Sequence, residues 1–159
     1  MIQSGLAGQL LEEYEGYCTL ASLLEREQEA LIDVASDRVA ALAGEKERVT
    51  HRLKELGARR VALLQAQGVS GDASGMRAWL TGHPEQARQI GSTWSKLSEK
   101  AEQTRRQNQT NGRLIDALVQ HLQTRLNMIS SATCANPTYG PTGKADVIRF
   151  PSGLGLRRA

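Results

Sequence analysis

A chain of 159 residues, 40% hydrophobic and 23% charged, is long enough to bury the core of one domain and too apolar to be disordered throughout. Aromatics are only 4%, and the apolar content is mostly Leu, Ala and Val, which suits helix-on-helix packing and argues against a β-sandwich. The net charge of +3 is unevenly placed, and its distribution argues against a dedicated nucleic-acid protein. Residues 1–33 carry Glu12, Glu13, Glu15, Glu25, Glu27, Glu29 and Asp33 against a single base, Arg26, while residues 36–67 and 84–131 are each richer in bases than acids. An acidic segment followed by two basic ones is what a self-complementary bundle shows.

The first predicted helix covers residues 1–33. Leu6, Leu10, Glu13, Tyr17, Leu20, Leu24 and Leu31 follow near-heptad spacing, and Leu11, Tyr14, Cys18 and Ala21 make a second stripe beside them. Two adjacent stripes give a face wide enough for two neighbours. Gly5, Gly8 and Gly16 weaken it locally. Asp33-Val34-Ala35-Ser36 holds neither Gly nor Pro, so a bend and a one-turn hairpin both fit. The hairpin is favoured, because each flanking helix is amphipathic and needs a partner. Ser36 and Asp37 are the candidate N-caps of a second helix, whose stripe is Val39, Leu42, Lys46, Val49, Leu53, Leu56, Arg60 and Leu63 and which ends near Gln67-Gly68.

Residues 68–75 read as loop. Met76–Leu80 is predicted as a short helix capped by Ser74 and anchored by Trp79. Gly82-His83-Pro84 opens the last helix, with Pro84 at the first helical position, where its missing N–H costs nothing. That helix contains Asn-Gly at Asn111-Gly112, a strong turn signal. Yet Ile90, Trp94, Leu97, Ala101, Thr104, Asn108, Asn111, Ile115, Leu118, Leu122, Leu126 and Ile129 keep one phase on both sides of it. One continuous helix explains this better than two. Asn108 and Asn111 then lie on its inner face, as a register device in the core or as a partner contact, the first being favoured. Gly112 beside them permits close approach of another backbone.

At about 1.5 Å per residue the first two helices span roughly 48 Å each and residues 84–131 roughly 70 Å. The excess most simply falls at the C-terminal end, which carries Leu114, Ile115, Leu118, Val119, Leu122, Leu126, Met128 and Ile129. An apolar ridge there should bind another copy, the tail or an amphipathic client helix. Beyond about Ser130 the chain is rich in Gly, Pro and small polar residues and reads as a tail, with Ala145–Phe150 as its one short strand candidate. The expected organisation is all-α: an antiparallel bundle of three long helices plus one short helix over residues 1–131, and an irregular tail over 132–159.

Signals for chemistry are weak. His51, His83 and His121 lack metal-ligand spacing. Cys18 lies on an apolar stripe, and two cysteines make no disulfide framework. No phosphate loop or dinucleotide fingerprint is present, so neither a cofactor nor enzymatic activity is expected. No apolar run reaches the roughly 18 residues of a membrane span, and the N-terminus lacks signal-peptide features, so a cytoplasmic chain is expected.

"LLEREQEALIDVASDRVAALAGEKERVTHRLKEL" (23–56), "NQTNGRLI" (108–115) and "NPTYGPTGK" (136–144) together resemble the FlgN family of flagellar type III export chaperones. The Asn-x-x-Asn-Gly-x-Leu/Ile segment and the Tyr-Gly tail are the more specific parts. The resemblance implies a cytoplasmic chaperone that is not an enzyme. It would bind hook–filament junction proteins, keep them soluble and deliver them to the export apparatus, with the C-terminal helix and tail on the client. It also implies that Tyr139 docks on the membrane export gate. Other readings remain a self-associating coiled-coil adaptor, which would pair as a homodimer through the ridge, and a basic helical nucleic-acid binder.

Overall fold

The computed structural model describes the backbone of residues 2–134 and the side chains of residues 5–132. They form four α-helices and, among the described residues, no strand: α1 (Ile2–Ile32), α2 (Ser36–Ala66), α3 (Ala73–Gly82) and α4 (Pro84–Cys134). The strand candidate in the tail and Tyr139 lie outside the described residues. The chain divides into two compact units, Met1–Ile115 and Asp116–Ala159, and α4 contributes to both.

In the first unit α1 and α2 form an antiparallel hairpin. Rising positions on α1 meet falling positions on α2: Glu13 pairs with Arg60, Arg26 with Glu45, and Glu27 with Lys46. The unit's share of α4 runs parallel to α1. At one end Leu6 and Leu10 share a buried cluster with Ile90 and Leu97, and at the other Asn111 bonds to Leu24 and Glu27. The heptad stripes supply most of this core, with Leu6, Leu10, Leu24, Leu31, Leu42, Leu53 and Leu56 buried, but near the end of α2 it is Leu64 that is buried and the expected Leu63 that is only half-buried. The second stripe of α1 is only partly used: Ala21 is buried, Tyr14 and Cys18 are half-buried, and Leu11 is exposed.

Both long helices of the hairpin end in the same hydrogen-bond pattern. After α2, Val69 N–H donates to Leu64 and Gly68 N–H to Gln65, with Gly68 at φ 76. After α1, Ala35 N–H donates to Ala30 and Val34 N–H to Leu31, with Val34 at φ 53. These are Schellman caps, whose left-handed residue is normally glycine. Gly68 meets that demand without strain; Val34, which is β-branched and exposed, does not. The turn therefore forms without Gly or Pro, but under local strain.

Two caps differ from the sequence expectation. The N-cap of α2 is Ala35, with no side-chain hydrogen bond, rather than Ser36 or Asp37. Ala35 already closes the α1 cap, so the next helix starts at once and Asp37 falls in its first turn, facing the positive end of the dipole. The N-cap of α3 is Asp72 rather than Ser74. Its extended backbone aims a carboxylate that accepts from Ser70 Oγ at 2.6 Å, Ser74 Oγ at 2.7 Å and Gly75 N–H at 2.8 Å. The Ser70 hydroxyl, then the Gly75 amide and the Ser74 hydroxyl, hold that carboxyl well below its ordinary range. The tight turn needs Gly75, because a Cβ there would lie 1.7 Å from the Ser70 carbonyl oxygen. α3 then presses Met76 and Trp79 into the core, and Pro84 opens α4 as expected.

Replacing Val34 with glycine removes roughly 1–2 kcal/mol of left-handed strain, offset in part by about 0.4–1 kcal/mol of added freedom in the unfolded chain. Val34→Gly is expected to raise the thermal midpoint, as checked by circular-dichroism melting; a lowered midpoint would contradict strain at this turn.

Candidate functional site

Within the first unit, two polar layers cross an otherwise apolar core. In one, Glu13, which is buried, accepts from Arg60 Nε at 3.1 Å on each oxygen. Arg60 also donates to the Gly71 carbonyl and lies over the Trp94 ring at 5.1 Å, so α1, α2 and α4 all meet there. Gln9 completes the layer, donating to the Leu56 carbonyl at 2.7 Å. In the other layer, buried Glu27 pairs with Lys46 through one oxygen and accepts from Asn111 Nδ2 at 2.9 Å through the other. Asn111 Nδ2 also donates to the Leu24 carbonyl at 2.8 Å. Two acceptors on one side fix the amide with nitrogen inward.

The sequence places Glu13, Lys46 and Arg60 on inner stripes without pairing them, and lists Glu27 only among the acids of residues 1–33. A signal was available. Glu27 falls on the heptad of Leu20, Leu24 and Leu31, two heptads beyond Glu13, and Lys46 stands two heptads before Arg60.

The three polar candidates on α4 part company. Asn111 is 1% exposed and locks α4 to α1. Asn108, expected on the inner face, is exposed at the rim of a groove of about 470 Å³ whose lining includes Tyr17, Leu20, Ala101 and Thr104. The helix turns its side chain past the α1 contact, so it does not act as a core register residue. Gly112 also departs from expectation: a Cβ there would meet nothing within 4 Å, so no backbone approaches it. The helix does not break at Asn111-Gly112. At the groove rim Glu102 accepts two bonds of 2.8 Å from Arg105 and one of 2.9 Å from Arg106. Arg105 foremost, then Arg106, lowers its carboxyl to about 2.

The apolar candidates grade from half-buried to exposed. Leu114 and Ile115, at the end of the first unit, are half-buried. In the second unit Leu118 is half-buried, while Leu122 (49%), Leu126 (58%) and Ile129 (62%) are exposed, together with Val119 and Met128. Among the described residues, five of the eight large exposed hydrophobics fall between Val119 and Ile129, a closer grouping than the single scattered apolar residues of an ordinary surface. The opposite side of this segment is polar and bonds within its own helix, as from Gln123 to Asn127 and from Thr124 to the Gln120 carbonyl. Among the described residues no cluster of three or more His, Cys, Asp or Glu side chains could hold a metal, and no helix is long and apolar enough to cross a membrane.

Two predictions follow from the first unit. Asn111→Asp sets a second carboxylate against Glu27 and is expected to lose about 3 kcal/mol or more. Asn111→Leu removes the bonds but adds no charge and should lose about 1–2 kcal/mol; urea unfolding ranks the two. At Glu102 the folded pKa lies below the unfolded one, so its contribution is complete above about pH 4.5 and disappears as pH falls through about 2. The melting difference between wild type and Glu102→Gln should shrink across that window, read by thermal denaturation at stepped pH.

No curated protein and no solved structure matches the chain. A family model described as FlgN protein does, over residues 1–146. That span contains all four helices, both polar layers and the exposed face of α4. The chain belongs to the FlgN family.

Proposed function

We propose that this protein is a cytoplasmic flagellar export chaperone. It binds hook–filament junction proteins through the apolar face of α4, keeps them soluble and delivers them to the type III export apparatus. Family membership supports the class of function. The observation that carries the binding face is the run of exposed aliphatics, Val119, Leu122, Leu126 and Ile129, with Leu118 half-buried beside them. They recur at helical spacing, so an amphipathic client helix can lay its own apolar stripe along them. Half-buried Leu114 and Ile115 are the candidate near end of the same face. The helix runs to Cys134, past the expected start of the tail at 132, and residues 135–159 are proposed as a tail separate from the helical domain. Its Tyr139 is the proposed contact with the export-gate membrane protein, on the family resemblance. No catalytic step is assigned to any residue.

Charge bears on the mode of binding. Between Ala117 and Ala132 the sequence has Arg125 and no other Asp, Glu, Lys or Arg. A client held there is held by apolar burial, so binding should change little with salt, whereas phosphate binding weakens steeply.

With purified hook–filament junction protein in isothermal calorimetry, Leu122→Asp and Leu126→Asp are each expected to weaken affinity tenfold or more. Both positions are exposed, so the melting temperature should hold. Undiminished affinity in the double variant would remove this face from the client site. Tyr139→Ala should leave client affinity unchanged and reduce retention on the immobilised cytoplasmic part of the export gate.

A further inference from the structure

We infer that the α1–α2 hairpin opens at its strained turn and exchanges arms with a second copy of this chain, forming a two-fold domain-swapped dimer. Three observations converge on the turn. First, Val34 occupies the left-handed region at φ 53 and is 62% exposed, so no burial repays its conformation. The connection Asp33-Val34-Ala35 contains no glycine or proline to resist becoming helix. Short strained hinges favour arm exchange, because opening them relieves strain while the exchanged contacts remain the same.

Second, the apolar phase runs through the turn. Leu31, Ala35, Val39 and Leu42 are spaced by four, four and three, the spacing of one uninterrupted helix face. If the turn straightens, Ile2–Ala66 becomes a single amphipathic helix that cannot bury its stripe alone.

Third, the polar layers specify what that helix would pair with. Glu13–Arg60 and Glu27–Lys46 share one midpoint, between Ser36 and Asp37. Two straightened copies laid antiparallel about that point pair Glu13 with Arg60 of the second copy and Glu27 with its Lys46, and the reverse. All four ion pairs form, and none is left unmatched. Because α3 and α4 follow α2 along the chain, Asn111 of one copy would bond to Glu27 of the other. Only the turn changes: the bonds from Val34 to Leu31 and from Ala35 to Ala30 give way to ordinary helical ones. Val34 then flanks the seam instead of standing at an exposed tip. This arrangement does not depend on the proposed client site.

The test is charge complementation. Glu13→Arg alone opposes Arg60 in a closed hairpin, and Arg60→Glu alone opposes Glu13. Co-refolded from urea, the two chains have matched pairs at both positions only if arms are exchanged. The expected product is a 1:1 heterodimer, twice the 17.3 kDa chain mass by light scattering, with a higher melting point than either chain alone. Wild type refolded at high concentration should also yield a dimer fraction, and Val34→Gly, whose closed turn is unstrained, should yield monomer. The inference is overturned if the mixture stays monomeric with no recovery of melting. It is equally overturned by a wild-type dimer that is lost in Leu122→Asp and indifferent to Val34→Gly, since such a dimer is held by the α4 face.

Discussion

Burying Glu13 and Glu27 is the constraint on which the first unit depends. An unpaired carboxylate in such a place carries a penalty of several kcal/mol. Any arrangement of α1 and α2 that leaves either one without its base is therefore strongly disfavoured. The leucines around them supply most of the favourable free energy, at roughly 2 kcal/mol for each buried side chain, but they would accept many alignments. A slide by one heptad keeps leucine against leucine. It also parts Glu13 from Arg60 and Glu27 from Lys46. Burial thus drives the association, and the ion pairs select one alignment from the several that burial permits.

Asn111 extends the same selection to α4. Lys46 satisfies one oxygen of Glu27, and the second needs a donor that only a neighbouring helix can bring. An amide suits this position better than a base, because it adds a bond without leaving a net positive charge in the layer. It also donates to the Leu24 carbonyl, which ties α4 to the backbone of α1 as well as to a side chain. At the other layer Arg60 links to α4 differently, by stacking on Trp94. Asn111, the first residue of the Asn-Gly pair that reads as a turn, is thus part of the core wiring. Thr104, also buried on this stripe, adds no constraint, because its hydroxyl is satisfied by the Lys100 carbonyl of its own helix at 2.7 Å.

Periodicity made the helices legible, including the uninterrupted α4, because heptad phase accumulates over many residues and survives a local turn signal. Single-residue placements were less legible. Asn108 and Asn111 share a stripe by spacing, yet a helix face is wide, and only Asn111 points at α1. Gly112 fits a close-approach motif, but whether a backbone lies opposite is a tertiary fact. Ser74 and Asp72 are both good cap residues two positions apart, and the choice falls to backbone direction around Ser70 and Gly75. Val34 carries no local signal for a left-handed residue at all. The hairpin imposes that conformation, because the pairing of α1 with α2 outweighs the strain at one residue.

The stripe of α4 also changes character along its length, and this bears on binding. From Ile90 to Ile115 it is interrupted by Thr104, Asn108 and Asn111, and the buried Asn111 admits one geometry of neighbour. From Leu118 to Ile129 the stripe itself is wholly aliphatic, and Arg125 is the one Asp, Glu, Lys or Arg in that stretch. Nothing in that second stretch penalises a neighbour that arrives in a different register or with different flanking residues. A helix that must dock once on its own hairpin benefits from a polar interruption. The face proposed for clients has none. In one helix the placement of a few amide and hydroxyl side chains separates a stretch locked to the hairpin from the stretch proposed for clients.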